Sequence, residues 1–296
     1  MKYIIIIVLL ALVIFNIRAQ PNPYDIRESI AESCETINTA PANVFRILNK
    51  EISSGDFTIP IRVYYPTNED SLPIIFQIHG GAWIGGNLET HDNICRRLAV
   101  ETNSVVVAID YRRPPEHQFP TALNDCLFVL EWIEANEEML RGNGRIFLIG
   151  DSAGGGLAPA LCIKNMTSDT PVKIDGQILI NPATDLRAES SSYKTYKVFI
   201  DWYVPFERDK SNSLISPLLF NKFGQLPKSI IVVSENDEIR DEGIQFHQKM
   251  IERGNSSIIL ELEEIGHLGP LWAGNSERVD LAFGFIVAEY KKWIDE

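Results

Sequence analysis

The chain has 296 residues, which is enough for one large α/β domain or two small ones. Its hydrophobic content of 45% and charged content of 23% are those of a globular protein with a sizeable core. The formal net charge of −13 argues against nucleic acid or an anionic membrane surface as a partner.

The N-terminus predicts a signal peptide over residues 1–19. A positive start at Lys2 precedes an unbroken apolar run over 4–15, which is shorter than the about 20 residues of a bilayer span. Cleavage after Ala19 would make the mature protein secreted or lumenal in the secretory pathway, with no stable membrane insertion. Ile17 is a poor residue three positions before the cut, so an uncleaved signal anchor that tethers the protein to a membrane is the alternative.

The cysteine pattern leaves the redox state of the chain open. An even number of cysteines in a secretory chain permits two disulfides in three connectivities. Cys126 and Cys162 lie in helical patterns, where a free buried thiol is the more usual role. The chain has no C-x-x-C pair, so we expect no structural zinc site. The four cysteines are Cys34, Cys95, Cys126 and Cys162.

The first structural elements are expected to flank a sheet. Residues 23–49 mix polar and apolar side chains and predict one or two helices. Residues 45–52 and 57–65 alternate in polarity and predict an antiparallel pair of edge strands. Pro60 lies inside the second strand and favours an edge position, because proline lacks the N–H that an inner strand uses.

The rest of the chain alternates short apolar runs with helical patterns. The runs are rich in β-branched residues, as in parallel strands that are covered on both faces; they lie at 73–78, 104–109, 145–149, 177–180, 229–233 and 257–262. The helical patterns lie at 90–102, 124–140, 157–164, 241–253 and 279–294. Together with the first pair of strands, they predict an α/β fold with a mostly parallel eight-stranded sheet and helices on both faces. Ligands of such sheets bind beyond the carboxyl ends of the strands.

The stretch Gly150-Asp151-Ser152-Ala153-Gly154 lies at such a strand end, between an apolar run and a helical pattern. It is the G-x-S-x-G pattern of a nucleophile elbow, a sharp strand-to-helix turn that exposes a strained serine hydroxyl. Gly150 and Gly154 must be small, because a side chain there would collide with the adjoining strand and helix. A glycine-rich turn without chemistry is the alternative, so Ser152 needs support from other residues.

A nucleophilic serine needs a base, and the base needs a carboxylate that orients it. The expected chain order is serine, acid, histidine. Of the two histidines after Ser152, His267 follows the last predicted strand and is the candidate base, whereas His247 lies mid-helix and is expected at the surface. Asp237 follows a predicted strand and is the candidate acid. Asp241, the alternative, resembles a capping residue of the next helix.

His79-Gly80-Gly81-Ala82-Trp83 follows another predicted strand. Acyl transfer needs fixed N–H donors for the negative charge on the carbonyl oxygen, and two glycines let the backbone turn its N–H groups toward a ligand. We therefore expect the N–H groups of Gly80, Gly81 and Ala153 to form an oxyanion hole. His79 comes before the serine in the chain and is expected to brace the loop instead of acting as a base.

These residues resemble the hormone-sensitive-lipase family of α/β-hydrolases, and within it the acetyl esterases and arylacetamide deacetylases. Two positions depart from the family pattern: Ala82 replaces the third glycine of the oxyanion loop, and Glu238 stands where proline is frequent. The resemblance implies an α/β-hydrolase domain over residues 20–296. The motifs that carry it, from Phe57 to the C-terminus, are residues 79–83, 110–117, 150–155, 237–243 and the loop of His267.

The resemblance also implies a helical cap over the site, with parts at residues 23–49 and 184–215. A small satellite core under a long loop is the alternative for the second part. We expect Trp83, Trp202 and Phe206 to contact a substrate, and Glu116 to brace the loops around the site. The second part is rich in aromatic side chains, which are Tyr193, Tyr196, Phe199, Trp202, Tyr203 and Phe206.

The activity that the resemblance implies is that of a serine carboxylesterase for short- to medium-chain acyl or aryl esters, without a metal or cofactor. An amidase or deacetylase with the same triad is an alternative among enzymes. A non-catalytic small-molecule receptor on a hydrolase scaffold is the alternative of another class, as a resemblance to plant gibberellin receptors allows. Such receptors lose the base, whereas His267 is present. The expected partner is a small-molecule ester, and a homodimer is left open.

Overall fold

The computed structural model describes residues 22–35, 41–55, 57–268 and 276–296. The predicted signal peptide, residues 1–19, lies outside these ranges, so its cleavage stays a prediction. Of the helices that the structure describes, none is both long enough and apolar enough to cross a membrane.

One sheet contains the strands of the described ranges. Its members are β1 (Arg46–Ser54), β2 (Phe57–Tyr65), β3 (Leu72–Ile78), β4 (Val105–Ile109), β5 (Gly142–Asp151), β6 (Gly176–Ile180), β7 (Ser229–Ser234) and β8 (Ser257–Leu262). Their order across the sheet is β1-β2-β4-β3-β5-β6-β7-β8. β2 pairs antiparallel with both β1 and β4, and the other neighbours are parallel. The predicted mostly parallel, eight-stranded sheet is confirmed.

The helices of the described ranges connect these strands. They are α1 (Pro23–Glu35), α2 (Asp92–Thr102), α3 (Thr121–Ala135), α4 (Ala153–Asn165), α5 (Ser191–Tyr203), α6 (Arg240–Glu252) and α7 (Glu277–Asp295). Short 3₁₀ turns at Glu207–Ser211, Pro217–Leu219 and Phe223–Gln225 lead from α5 back to β7.

Both faces of the sheet are covered by helices, as predicted. Alternate side chains of a strand point to opposite faces. Ile74 and Phe76 of β3 therefore pack in one core with residues of α3, α4 and α6, such as Phe246. Ile75 packs in the other core with residues of α2 and α7, such as Phe283. Burial on both faces explains why the inner strands are continuous apolar runs.

Two expectations for the N-terminal part are wrong. Residues 23–49 were predicted as a helical cap part, but strand β1 already begins at Arg46 within this range. β2 is not an edge strand despite Pro60, since it lies between β1 and β4. The register of β2 with β4 begins at Ile61, and the Pro60 carbonyl oxygen accepts from the Asp110 N–H. Pro60 therefore lies at the end of the β2–β4 ladder, where the pairing does not require an N–H donor from this residue.

All four cysteines are buried free thiols, so the two disulfides that the sequence permits are not formed. The expected free thiols of Cys126 and Cys162 are confirmed. Burial raises the pKa of the Cys34 thiol to about 12. The thiols therefore pack as small apolar groups.

Candidate active site

Ser152 lies at a sharp turn between β5 and α4. Its φ of 52° and ψ of −117° belong to a region that L-residues rarely adopt. A Cβ on Gly150 would collide with the Gly154 carbonyl oxygen, and a Cβ on Gly154 with that of Ile78. The Ser152 N–H donates to the Ile180 carbonyl oxygen at 2.8 Å, which holds the turn against β6. The strained turn and its need for small neighbours are as predicted.

A hydrogen-bonded chain joins three of the predicted residues at the carboxyl edge of the sheet. His267 Nε2 lies 2.9 Å from Ser152 Oγ, and His267 Nδ1 lies 2.9 Å from Asp237 Oδ2. A carboxylate only accepts, so Nδ1 carries the ring proton and Nε2 is left to accept from the serine hydroxyl. Ser152 is 8% exposed, and the Asp237 side chain is fully buried. This arrangement can take a proton from serine and hold it on an imidazolium beside a carboxylate.

Asp237 is held in place by Asn181. The Asn181 side-chain amide donates to Asp237 Oδ2 at 2.6 Å, and the Ile239 N–H donates to Oδ1 at 3.1 Å. Asn181 Oδ1 also accepts from the Leu268 N–H at 3.4 Å, so it connects the loops of the acid and the base. Sequence reasoning missed Asn181. Its position directly after β6 was a signal, since the other site residues also follow strand ends.

The pKa of His267 is raised above its ordinary value. Burial lowers it, but the hydrogen bond and charge of Asp237 raise it, and the charges of Asp151 and Glu238 add to this increase. A base with a raised pKa takes up a proton more readily. Activity that depends on the neutral imidazole should therefore fall as the pH decreases through this raised pKa.

The alternative residues lie elsewhere. His247 Nδ1 lies 2.9 Å from Ser257 Oγ, at the first residue of β8 and thus at the opposite end of that strand from the loop of His267. His247 is half-buried, whereas the sequence predicted a position at the surface. Asp241 is exposed in the first turn of α6, where it pairs with Arg240 at 3.5 Å. Across the described ranges, no group of three or more His, Cys, Asp or Glu side chains could hold a metal ion.

His79 braces the loop that follows β3, as expected. Its ring stacks on that of Tyr111 with centroids 4.1 Å apart, and the Tyr111 hydroxyl donates to the His79 carbonyl oxygen at 2.9 Å. His79 Nδ1 donates to the Gly80 carbonyl oxygen at 2.8 Å. Complete burial lowers the His79 pKa well below its ordinary value, and His91 and Arg113 lower it further. The ring therefore stays neutral.

The oxyanion loop differs from the expectation at Gly80. The Gly80 N–H donates to Asp151 Oδ1 at 3.2 Å, so it is not free for an oxyanion, and its expected role is wrong. The next two residues have left-handed backbones, with φ of 118° at Gly81 and 52° at Ala82. In the described part of the chain, no backbone acceptor is bonded to the N–H groups of Gly81, Ala82 or Ala153.

Comparisons with known proteins identify the family of the chain. A model of the α/β-hydrolase fold matches residues 75–269. The chain belongs to the α/β-hydrolases. It is 33% identical to the arylesterase of Saccharolobus solfataricus over 217 residues, which are 69% of this chain and 70% of that protein. The predicted hormone-sensitive-lipase-like membership is confirmed.

Similarity extends to a solved structure and to a receptor. The hyperthermophilic esterase of the archaeon Pyrobaculum calidifontis superposes with a TM-score of 0.84 at 28% identity, over 92% of this chain and 93% of that chain. Gibberellin receptor GID1 of Oryza sativa subsp. japonica is 31% identical over 215 residues, which are 66% of this chain and 60% of the receptor.

Helix α5 of this α/β-hydrolase contacts the site through two aromatic rings. The Tyr196 ring centroid lies 6.1 Å from that of His267, and Tyr203 stacks on Trp83 at 5.4 Å. α5 is kinked at Tyr196, whose φ of −116° and ψ of 25° are not helical. The aromatic segment therefore reaches both the base and the oxyanion loop, which favours the predicted wall over a separate satellite core.

The residues predicted to contact a substrate have different surroundings. Trp83 is buried under Tyr203. Trp202 is half-buried beside Phe199, with ring centroids 6.1 Å apart, and Phe206 is 60% exposed beyond the end of α5. Tyr196, which was not predicted as a substrate contact, is the ring beside His267. Contact of Trp202 and Phe206 with a substrate stays a prediction.

Helix α1 is attached to the loops around the site through Arg27. Its guanidinium donates to Glu116 at 2.6 Å and to the carbonyl oxygens of Ile84 at 2.9 Å and Pro114 at 2.7 Å. The hydrogen bond from Arg27 lowers the pKa of Glu116 to about 2. Glu116 therefore braces these loops as the anionic partner of α1.

Helix α5 is attached through Glu242, a buried carboxylate in the first turn of α6. Glu242 Oε2 accepts from the N–H groups of Thr184 at 2.9 Å and Asp185 at 3.0 Å, and from the Ser192 hydroxyl at 2.8 Å. Oε1 accepts from the Ser192 N–H at 2.7 Å. Burial raises the pKa of Glu242 to about 7, although these hydrogen bonds lower it. Sequence reasoning did not single out Glu242, because an acidic residue in a first helical turn is usually exposed.

Proposed function

We propose that this carboxylic ester hydrolase is a serine carboxylesterase for short- to medium-chain acyl or aryl esters, with Ser152 as its nucleophile. The observation that carries the proposal is the hydrogen-bonded chain from Ser152 through His267 to Asp237, with 2.9 Å at both contacts. A receptor has no need of a base and an acid aligned behind a serine. The similarity to an arylesterase supports ester hydrolysis.

The reaction begins when Ser152 Oγ attacks the carbonyl carbon of the ester. His267 Nε2 accepts the hydroxyl proton as the new C–O bond forms, and Asp237 stabilises the imidazolium without taking the proton. The tetrahedral intermediate breaks its bond to the alcohol oxygen, which receives the proton from His267. Water then gives a proton to His267 and attacks the acyl-serine. The acid departs as Ser152 regains its proton.

The negative charge of each tetrahedral intermediate needs donors that are free in the resting enzyme. We assign this role to the N–H groups of Gly81, Ala82 and Ala153. Gly80 is left out because its N–H already donates to Asp151. Ala153 is the first residue of α4, where helical N–H groups lack partners within the helix.

The nucleophile is tested with a fluorophosphonate probe. Ser152→Ala should abolish both labelling and ester turnover, because the attacking oxygen is removed. Ser256→Ala, at an exposed serine, is the matched control and should be labelled like the wild type. Labelling that survives in Ser152→Ala would contradict the assignment, and a folded wild type without labelling or turnover would favour the receptor.

Acyl length is the finer part of the proposal. The Tyr196 ring beside His267, and Ala82 in place of a glycine, support the proposal of a short acyl pocket. Each buried CH₂ adds about 0.8 kcal/mol of binding while it fits, whereas overpacking costs about 1–3 kcal/mol. We therefore expect kcat/KM to rise from acetyl to butyryl or hexanoyl p-nitrophenyl esters and then to fall. A monotonic rise to palmitoyl esters would contradict the short pocket, and faster turnover of matched anilides would favour the amidase.

Targeting also stays a proposal. We expect cleavage near Gln20, which gives a secreted or lumenal protein. N-terminal sequencing of the protein expressed in a secreting host measures this. An intact Met1 in the membrane fraction would indicate a signal anchor instead.

A further inference from the structure

Gly80 is held at both of its polar backbone groups. Its N–H donates to Asp151 Oδ1 at 3.2 Å, and its carbonyl oxygen accepts from His79 Nδ1 at 2.8 Å. A trans peptide directs its C=O and its N–H to opposite sides. The Gly80 carbonyl group therefore determines the direction of the Gly81 N–H, which is one of the donors assigned to the oxyanion.

Asp151 ties this loop to the nucleophile, because it is the residue before Ser152. Its side chain is 6% exposed. Gly80 approaches it so closely that a Cβ on Gly80 would collide with Asp151 Oδ2. A buried carboxylate must be hydrogen-bonded. The position of this carboxylate therefore influences the spacing between Ser152 and the loop amides.

His91 supplies Asp151 with a second donor. His91 Nε2 lies 3.1 Å from the same Oδ1 atom, and His91 Nδ1 lies 2.9 Å from Thr90 Oγ1. Because a carboxylate only accepts, Nε2 carries a proton in this contact. The His91 side chain is 11% exposed, and the mechanism given above assigns it no role.

We propose that His91 is a positioning residue for oxyanion stabilisation: through Asp151 and Gly80, it holds the amides of Gly81 and Ala82 at their distance from Ser152. The inference rests on the proposed ester hydrolysis. Without the imidazole, Asp151 Oδ1 loses one of the two hydrogen bonds that it accepts from His91 and Gly80. Leaving a buried carboxylate with too few donors costs more free energy than the lost hydrogen bond contributes. The carboxylate then shifts toward water, and this shift loosens its contact with Gly80.

The test compares His91→Leu with His91→Gln in the full chain. Glutamine keeps an N–H donor at a similar reach and should restore the contact with Asp151. His247→Leu is the matched control, because His247 is another half-buried imidazole with a hydroxyl contact of 2.9 Å. Active serines are counted by fluorophosphonate titration. The readouts are kcat per active serine, KM for p-nitrophenyl butyrate, and Ki of a trifluoromethyl ketone, whose serine adduct carries an oxyanion.

We expect His91→Leu to lower kcat per active serine about 10- to 100-fold. Removal of one oxyanion donor costs about 10²–10³-fold, and this variant displaces the donors without removing them. KM should change little, and Ki of the ketone should rise by the same factor as kcat falls. His91→Gln should restore most of the wild-type kcat per active serine and most of the wild-type Ki. His247→Leu should match the wild type in kcat and Ki. A purely structural role would lower the number of active serines and leave their kcat unchanged.

Unchanged kcat per serine and Ki in His91→Leu would overturn the inference, and so would a fall in kcat with unchanged Ki. If His91→Leu does not fold, His91→Asn takes its place, because the shorter asparagine amide does not reach Asp151. His91→Asn is then compared with His91→Gln by the same criteria. A wild type that is not labelled at Ser152 would defeat the proposed function instead. A labelled wild type with an insensitive His91 variant defeats the positioning role alone.

Discussion

The carboxyl edge of the sheet and the two helices beside the site, α1 and α5, hold their side chains by different means. At the sheet edge, backbone ladders extend directly into the site residues. The Ser152 N–H donates to the Ile180 carbonyl oxygen, and the Asn181 N–H donates to that of Val232, both at 2.8 Å. Helices α1 and α5, by contrast, are attached through single long side chains, Arg27 for α1 and Glu242 for α5.

This difference indicates which properties a substitution can change. A side chain positioned by the sheet can lose its chemistry without moving its neighbours, because the backbone ladder holds them. A helix that is attached through one titratable or charged side chain, as α1 and α5 are, responds to loss of that side chain and to changes in pH or salt. We therefore expect large losses of kcat from substitutions at the sheet edge, and changes in stability or KM from substitutions that detach α1 or α5.

The largest effect is expected at the base. His267→Ala should lower kcat about 10⁴-fold or more, because the proton of Ser152 then has no acceptor. His247→Ala is the matched control and should change kcat little. Asp237→Asn should likewise lower kcat far more than Asp241→Asn does. Steady-state kinetics with a p-nitrophenyl ester measure both pairs, and the reverse ranking in either pair would show that the loops have other roles.

A smaller effect, in stability, is expected at Glu242. The folded state raises its pKa from 4.5 to about 7. A raised pKa favours the protonated form, so this contribution to stability is complete below pH 4.5 and is lost as the pH rises through about 7. At 1.36 kcal/mol for each pKa unit, the loss is on the order of 3 kcal/mol. The loss of stability should appear as a decline of Tm with rising pH. In Glu242→Gln the side chain has no charge at any pH, so this decline should disappear.

The control for Glu242 lies on the same helix. Glu252 is exposed at the end of α6, and Glu252→Gln should leave the pH dependence of Tm unchanged. Calorimetric melting from pH 4.5 to about 7 covers the window of the pKa shift. Equal slopes of Tm against pH in the wild type and Glu242→Gln would show that burial of this carboxylate has no part in the pH dependence.

The smallest effect is expected at the partly exposed pair of Arg27 and Glu116. Exposed ion pairs contribute about 0.2–1 kcal/mol, so Glu116→Gln should change KM only slightly. Arg27→Met should raise KM more, because the carbonyl oxygens of Ile84 and Pro114 also lose their donor. KM measured at low and high salt separates the contribution of the ion pair from that of the hydrogen bonds to the two carbonyl oxygens. Added salt should weaken only the ionic part, and an equal effect of both variants would show that the carbonyl contacts do not matter.

The fold was largely predictable, because its inner strands are buried on both faces and therefore form continuous apolar runs. The last strand, predicted over residues 257–262, has those bounds in the structure. The helix predicted over 124–140 lies instead at Thr121–Ala135. The reason is that Leu140 is buried from a turn, so its apolar spacing continued the helical pattern beyond the helix.

The residues of the proposed triad were also predictable, since Ser152, Asp237 and His267 each follow a strand. The carboxyl ends of parallel strands meet at one edge, so loops that are distant in the chain come together there. Asn181 follows a strand too, but an asparagine after a strand has many uses, and only its contact with Asp237 distinguishes it.

By itself, the sequence determined the alternation of strands and helices, the order of the site residues along the chain, and the need for glycine at the elbow. These properties depend on periodicity and on residues close in the chain. Only the tertiary structure decided that the Gly80 N–H is occupied, that Glu242 holds α5, and that all four cysteines are free. The contacts of Gly80 with Asp151 and of Ser192 with Glu242 span 71 and 50 residues. Such contacts depend on how the sheet brings distant loops together, which no local pattern encodes.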